Sequence, residues 1–418
     1  MQNTANFKNK EILIIGLARS GLACANLLFD LGAKVSVTDN KNNESVRKNA
    51  LELTLKGIKV EIGQHSRDFI KNKDIVVISP GVPNESQAVI WAKEFKIPII
   101  SEIELSAVLC PAQIIAITGT NGKTTVTTLI GRVLEKAGKR VFTCGNIGQP
   151  FSAEVNKMQE GDFVSLEVSS FQLETIDTFK PKIAVILNLS RNHLDRYSDM
   201  ADYLKAKKRI FKNQDASDYL VLNYNDPLIR DLAKETKAKV VFFGKEGNLN
   251  PNNSAVLNVA KILSIDNNLA LETLREFKGV EHRMEEVCTI NGIRFINDSK
   301  STTTEATVWA LNNLNCPIIL IAGGREKSND YSRVLDLAQN KVKSVVLIGE
   351  AKDKIKKAFN SLANLQEADT LKDAVYKAYS KATIGDCVLF SPMCKSFDMF
   401  SNYEERGKIF KEIVASLK

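Results

Sequence analysis

The chain has 418 residues, 44% of them apolar and 25% charged, with 57 basic against 49 acidic side chains and a net charge of +8. That supplies apolar material for several cores and two to four domains. No run is apolar enough for a transmembrane span and no signal-peptide segment opens the chain, so a cytoplasmic protein without a membrane partner is expected. Seven scattered cysteines without a C-x-x-C exclude a disulfide framework or zinc site, and lysines interspersed with acids suit anionic small substrates rather than nucleic acid.

Residues 1–101 form a first block. A strand at Glu11–Ile15 runs into Gly16-Leu-Ala-Arg-Ser-Gly21, a helix to Leu31 and a second strand ending at Asp39. This is the βαβ opening of a Rossmann-like domain, with an acid placed to read a ribose or base. Ala18 replaces the second glycine of a dinucleotide fingerprint, so a nucleotide-binding and a merely structural unit both fit. A later strand ends at Ile78-Ser-Pro-Gly-Val-Pro83, a turn at the carboxyl edge where such sheets bind ligands.

The second block, 102–279, carries the most informative stretch, Ile114-Ile-Ala-Ile-Thr-Gly-Thr-Asn-Gly-Lys-Thr-Thr125. An apolar strand meets a glycine-rich turn, a lysine and a hydroxyl. A helix follows, with Val126, Leu129, Ile130, Val133, Leu134 and Ala137 on one face and Gly138 ending it. This geometry cradles a nucleoside triphosphate. Backbone N–H groups and the helix N-terminus hold phosphates, Lys123 reaches the β and γ oxygens, and Thr124 can ligate Mg²⁺. The general G-x-x-x-x-G-K-[ST] pattern places its first glycine where Ile117 stands; here the glycine is Gly119. Apolar runs at Phe163–Val168, Ile183–Asn188, Tyr219–Asn223 and Val240–Phe243 alternate with helical segments, which predicts a mostly parallel sheet covered on both sides.

The third block, 280–418, opens with a hairpin around Asn291-Gly292. Strands at Ile318–Ala322, Val345–Ile348 and Val388–Phe390 then predict a second Rossmann-like unit. The fold class is therefore α/β in three domains, with a central P-loop ATPase-type sheet between two Rossmann-like units.

Two further features carry chemistry. Glu167 lies near the end of an apolar strand beside Ser169 and Ser170, where it needs a metal or a basic partner. His193 sits in the polar Asn188-Leu-Ser-Arg-Asn-His-Leu-Asp-Arg-Tyr197 loop, either as a helix-capping or core histidine or as a functional one.

Thr118–Thr125, Leu166-Glu-Val-Ser-Ser-Phe-Gln-Leu-Glu174 and His193-Leu-Asp-Arg-Tyr197 resemble the Mur ligases of peptidoglycan synthesis, and among them the branch that adds D-glutamate. Gly145-Asn-Ile-Gly148, Asn297-Asp-Ser-Lys300, Gly323-Gly324 with Lys327, and Ser391-Pro-Met-Cys-Lys-Ser-Phe-Asp-Met-Phe400 match the remaining blocks in order. The resemblance implies a monomeric ligase that phosphorylates the carboxylate of UDP-MurNAc-L-Ala with ATP. The amine of D-glutamate then attacks the acyl phosphate, and phosphate leaves from a tetrahedral intermediate. It implies ATP contacts at Gly119, Thr120, Asn121, Gly122, Lys123, Thr124, Thr125, Asn258, Arg283 and Asp298. Two Mg²⁺ ions would be held by Thr124, Glu167, His193 and Lys207, with Lys207 carbamylated by CO₂. Arg19, Ser20, Asp39, Asn40, Ser79, Gly81 and Asn146 match positions around the UDP-sugar. Lys300, Thr302, Lys327, Ser396 and Tyr403 match positions around the incoming glutamate. By composition alone, Lys207 reads as an ordinary exposed helix lysine.

The chain departs from the family in places. Ala255 in Ser254-Ala-Val-Leu-Asn258 replaces the first asparagine of H-N-x-x-N, Asn192 and Thr303 replace an acid and an asparagine, and Lys395 stands where a small residue is usual. The nearest rivals are a Mur or folylpolyglutamate-synthase-like ligase for another amino acid and, in a different class, a P-loop nucleotide-hydrolysing switch.

Overall fold

The computed structural model describes residues 7–190, 196–245, 249–277, 279–326, 329–362 and 364–417. Strands buried on both faces need unbroken apolar runs and crossover helices between them, and three sheets are built this way.

The first contains β1 (Glu11–Ile15), β2 (Lys34–Asp39), β3 (Lys59–Ile62), β4 (Ile75–Ile78) and β5 (Ile99–Ser101), all parallel, in the order β3-β2-β1-β4-β5. Strand order reverses between β1 and β4, and the crevice beyond the carboxyl ends at such a point is where these sheets receive ligands. The second sheet contains β6 (Gln113–Thr118), β7 (Val141–Gly145), β8 (Phe163–Glu167), β9 (Ile183–Ile186), β10 (Tyr219–Asn223) and β11 (Lys239–Phe243). It is parallel throughout, in the order β11-β10-β9-β6-β8-β7. Here the reversal falls at β6.

The third sheet contains β12 (Glu285–Ile290), β13 (Ile293–Asn297), β14 (Ile318–Gly323), β15 (Val342–Ile348), β16 (Leu365–Glu367) and β17 (Cys387–Phe390), ordered β12-β13-β17-β14-β15-β16. Only β12 and β13 pair antiparallel, through a two-residue turn in which Asn291 and Gly292 both have positive φ (48° and 74°). That is the turn geometry whose twist suits a hairpin.

The chain divides into two compact units, Met1–Phe277 and Lys278–Lys418. The first holds two sheets because one apolar cluster runs through both, from Ile12, Ile14 and Val37 to Ala116, Leu166 and Ile186. Helix Glu102–Leu109 follows β5 and seals the junction. Its buried Glu104 carboxylate accepts from the backbone N–H groups of Asp177, Thr178 and Phe179 at 2.9, 2.7 and 2.9 Å. Among the described residues no helix is long and apolar enough to cross a membrane.

Candidate active site

β6 runs directly into Gly119-Thr-Asn-Gly122 and helix Lys123–Lys136. Gly119 (φ 150°) and Gly122 (φ 81°) adopt backbone that L side chains rarely take. A Cβ on Gly122 would lie 2.5 Å from Asn252 Oδ1. The shifted glycine now has a reason. Ile117 is fully buried within β6, paired with Glu167 of β8 and Val185 of β9, so the turn starts only at Gly119. The side chain of Asn188 clasps the loop, accepting from Asn121 N at 2.9 Å and donating to Asn121 O at 3.0 Å.

Two lysines converge here. Lys123 Nζ donates to Gly119 O and Thr120 O, each at 2.9 Å, and Lys207 Nζ donates to the same Gly119 O at 2.9 Å. Lys207 stands in the last turn of helix Met200–Lys208, is 1% exposed, and its Nζ lies 4.5 Å from the centroid of the Tyr203 ring. The exposed-lysine reading is therefore overturned. Its neighbour Lys208 makes the surface pair, with Glu235 at 2.7 Å. Burial first, and then the charge of Lys123, push the Lys207 amine well below its ordinary pKa, against the opposing pull of Glu167.

Glu167 closes β8 and is 1% exposed. Its Oε1 accepts from Asn146 Nδ2 at 2.6 Å, while Oε2 is buried with no hydrogen-bond partner among the described residues. A buried carboxylate oxygen lacking a donor is costly by itself. Together with the buried Thr124 and a cradle of positive-φ glycines, it fits a divalent cation beside a bound phosphate. Gly145 (φ 107°) permits this close packing, since a Cβ there would strike the backbone oxygen of Glu167.

The remaining expected positions in the first unit gather at the carboxyl edge of the first sheet. Ser79 Oγ donates to Gly16 O at 2.9 Å, which joins the 79–84 turn to the Gly16–Gly21 turn. Asp39 accepts from Leu17 N at 2.7 Å and Lys41 N at 2.8 Å. Arg19, Asn40 and Gly81 are exposed around these turns, and Ser20 is half-buried. Asn258 was expected on the adenine side of the nucleotide, away from the phosphate loop. It sits deep in helix Pro251–Ile262 and donates to Ser254 O at 2.9 Å, whereas Asn252, in the first turn of that helix, meets Gly122. His193 lies outside the described residues, as does Lys327.

In the second unit, Asp298 follows β13 and is buried. It accepts from Ser301 Oγ at 2.5 Å, Ser391 Oγ at 2.9 Å and Met284 N at 3.2 Å, and burial raises its pKa to about 6. Lys300 Nζ lies 5.3 Å from the Tyr403 ring centroid, with Thr302 following on the same loop. The fully buried Arg406 ties this loop to the one bearing Ser396. It donates to Ser299 O at 2.7 Å, Ser299 Oγ at 3.1 Å and Cys394 O at 3.1 Å. Arg283, half-buried, precedes Met284 at the start of the unit.

Sequence reasoning missed Asn188, Asn252 and Arg406. Asn252 had a signal, the asparagine run around Pro251 that opens the helix. Arg406 had none, because an arginine in a charged stretch reads as surface.

Family models match three consecutive stretches: "Mur ligase MurD-like, N-terminal domain" over 10–101, "Mur ligase middle domain" over 117–274 and "Mur ligase, glutamate ligase domain" over 282–394. The UDP-N-acetylmuramoylalanine--D-glutamate ligase of Thermoanaerobacter pseudethanolicus is 40% identical, covering 98% of this chain and 99% of the relative. The enzyme of the same name from Geotalea uraniireducens is 41% identical, covering 98% of each. The fold is shared with the UDP-N-acetylmuramate-alanine ligase MurC of Thermotoga maritima, at TM-score 0.63 and 21% identity, covering 98% of this chain and 100% of that one. It is also shared with the MurF ligase of the same organism, solved with ADP, at TM-score 0.59 and 15% identity over 100% and 98% of the chains. With relatives this similar along its whole length, the chain belongs to the Mur ligase family.

Proposed function

We propose that the protein is an ATP-dependent ligase joining D-glutamate to UDP-N-acetylmuramoyl-L-alanine in peptidoglycan precursor synthesis, releasing ADP and phosphate. The observation that carries this reading is end-to-end identity to enzymes of that name. A carboxylate is a poor acyl donor until it is phosphorylated, and the transfer crowds negative charge between two oxygens. Lys123, at the entrance of helix Lys123–Lys136, supplies a fixed positive charge where that crowding peaks. The glycine cradle holds the phosphates through backbone N–H groups.

Thr124 and Glu167 would hold one Mg²⁺, whose role is to neutralise phosphate charge; His193 and Lys207 would serve a second. The chemistry of Lys207 supports its part. Two ammonium groups cannot share Gly119 O cheaply, and burial makes Lys207 the one whose proton is the more easily lost. A neutral lysine amine is nucleophilic toward CO₂, and the carbamate formed is an anionic oxygen ligand suited to Mg²⁺. The N-terminal residues around Asp39 and Ser79 would bind the nucleotide sugar. Lys300, Thr302, Lys327, Ser396 and Tyr403 would receive D-glutamate, a dicarboxylate that needs paired cations.

The test measures ADP release with the nucleotide sugar and a panel of amino acids. Release that requires both the sugar and D-glutamate is expected. Equal use of L-alanine or a diamino acid would leave a ligase of another specificity, and release with neither would leave a nucleotide hydrolase.

A further inference from the structure

Three segments of the first unit meet at one carboxylate outside the machinery described so far. Glu174 Oε2 accepts from Asn84 Nδ2 at 2.6 Å and from Arg196 Nη2 at 2.7 Å, and Oε1 accepts from the Tyr197 hydroxyl at 2.6 Å. Asn84 ends the turn that begins at Ser79. Arg196 and Tyr197 lead into the helix that carries Lys207, and Glu174 caps the short helix Ser170–Leu173 beyond β8. A carboxylate accepts at both oxygens and satisfies all three donors. A glutamine keeps the shape but loses the charge that pairs with Arg196, and its N–H₂ can meet only the Tyr197 hydroxyl, which must then accept.

The connection continues past Glu174. The Arg196 guanidinium lies 4.1 Å from the centroid of the Phe171 ring, and the Tyr197 ring packs on Phe171 at 6.0 Å and on Tyr203 at 5.2 Å. Tyr203, one turn before Lys207, carries the Lys207 amine over its ring at 4.5 Å and accepts from Thr120 Oγ1 at 3.5 Å. An unbroken line of contacts thus runs from the turn at the edge of the first sheet to the phosphate loop.

We infer that Glu174 is a positioning residue of the ligation reaction: it locks the 79–84 turn to the Arg196–Tyr197 segment and, through Tyr197 and Tyr203, sets that turn against Lys207 and the phosphate loop. The inference rests on the ligase reading above. In-line transfer requires the sugar-borne carboxylate to stand within reach of the γ-phosphate, and a misplacement of about 1 Å costs on the order of a hundredfold in rate. Glu174 touches no reacting atom. It fixes the distance between the two surfaces that do.

The experiment compares wild type with Glu174→Ala and Glu174→Gln by steady-state kinetics, by calorimetric titration of UDP-MurNAc-L-Ala and by thermal unfolding. With Glu174→Ala, kcat should fall about tenfold or more and nucleotide-sugar affinity several-fold, with the ATP KM changed by less than about twofold. Asn84→Ala and Tyr197→Phe should each lower kcat in wild type and add nothing in Glu174→Ala, because their partner is already gone. If Glu174→Ala does not fold, Glu174→Gln and Tyr197→Phe carry the comparison, with the same split expected. Unchanged constants would overturn the role. So would a loss confined to the folded fraction, or single effects that add in full. A wild-type protein that releases no ADP in response to sugar and D-glutamate would sink the ligase reading instead.

Discussion

Lys123 and Lys207, far apart in sequence, bring their side-chain nitrogens to one acceptor, the backbone oxygen of Gly119, each at 2.9 Å. Their closeness and their unequal burial make Lys207 the easier of the two to deprotonate. Lys123 is half-exposed at a helix start, while Lys207 is sealed behind Tyr203. The same contact gives the two residues different consequences on substitution.

Lys123→Ala removes the cation that the proposed function sets beside the γ-phosphate and should lower kcat by about a hundredfold or more. It also relieves Lys207 of a repelling neighbour, so the Lys207 amine should titrate at higher pH than in wild type. ADP release reads the first effect and NMR of a labelled lysine reads the second.

Lys207→Met should abolish ligation and yet raise Tm in CO₂-free buffer at neutral pH, because a desolvated amine is exchanged for an apolar chain of similar length. The native pKa is depressed from 10.5, so the folded chain binds fewer protons than the unfolded one. The lysine's contribution is full above about 10.5 and is lost as pH falls toward the native value. Wild type should therefore gain stability with rising pH in that window, and Lys207→Met should gain less. Activity of wild type should depend on dissolved CO₂, whereas Lys208→Ala should behave almost normally.

Gly122→Ala combines a left-handed backbone with a Cβ aimed at Asn252 Oδ1. A destabilisation of about 1–2 kcal/mol is expected, together with weaker nucleotide binding. Adding Asn252→Ala removes the collision but leaves the backbone strain, so only part of the Tm should return.

Asp298 titrates near 6 because burial disfavours its charged form. A raised native pKa means stability that is complete below about 3.8 and lost as pH rises through 6, on the order of 2–3 kcal/mol. Asp298→Asn should flatten this slope in the unfolding of the second unit between pH 4 and 7, measured by calorimetry.

Much of the architecture was legible because β6, β9 and β14 are buried on both faces and so appear as unbroken apolar runs. β7, Val-Phe-Thr-Cys-Gly, and β16, Leu-Gln-Glu, were not foreseen. Each is an edge strand with mostly half-buried residues, which leaves no clean pattern to read. The strand, turn and helix of the phosphate loop were equally plain. Which lysine of Lys205-Ala-Lys-Lys208 points inward came from the family resemblance, which names Lys207, and not from composition, since packing against Tyr203 and Gly119 decides it. Asn252 shows the same limit from the other side. The motif spacing picks out Asn258, while the asparagine that lies against Gly122 is set by where helix Pro251–Ile262 begins.

The seal made by Glu104 bears on how the chain is synthesised. Its three backbone N–H donors lie on 177–179, so residues up to 101 cannot complete their packing when they leave the ribosome. They must wait for the far side of the second sheet, while everything after Phe277 is made later. Synthesis at about 5–20 residues per second gives the first unit seconds to fold while the residues after Phe277 are being added. Ribosome-bound chains stopped beyond 277, with a linker spanning the exit tunnel, should resist protease over the first two sheets. Chains stopped shortly after 101 should be digested.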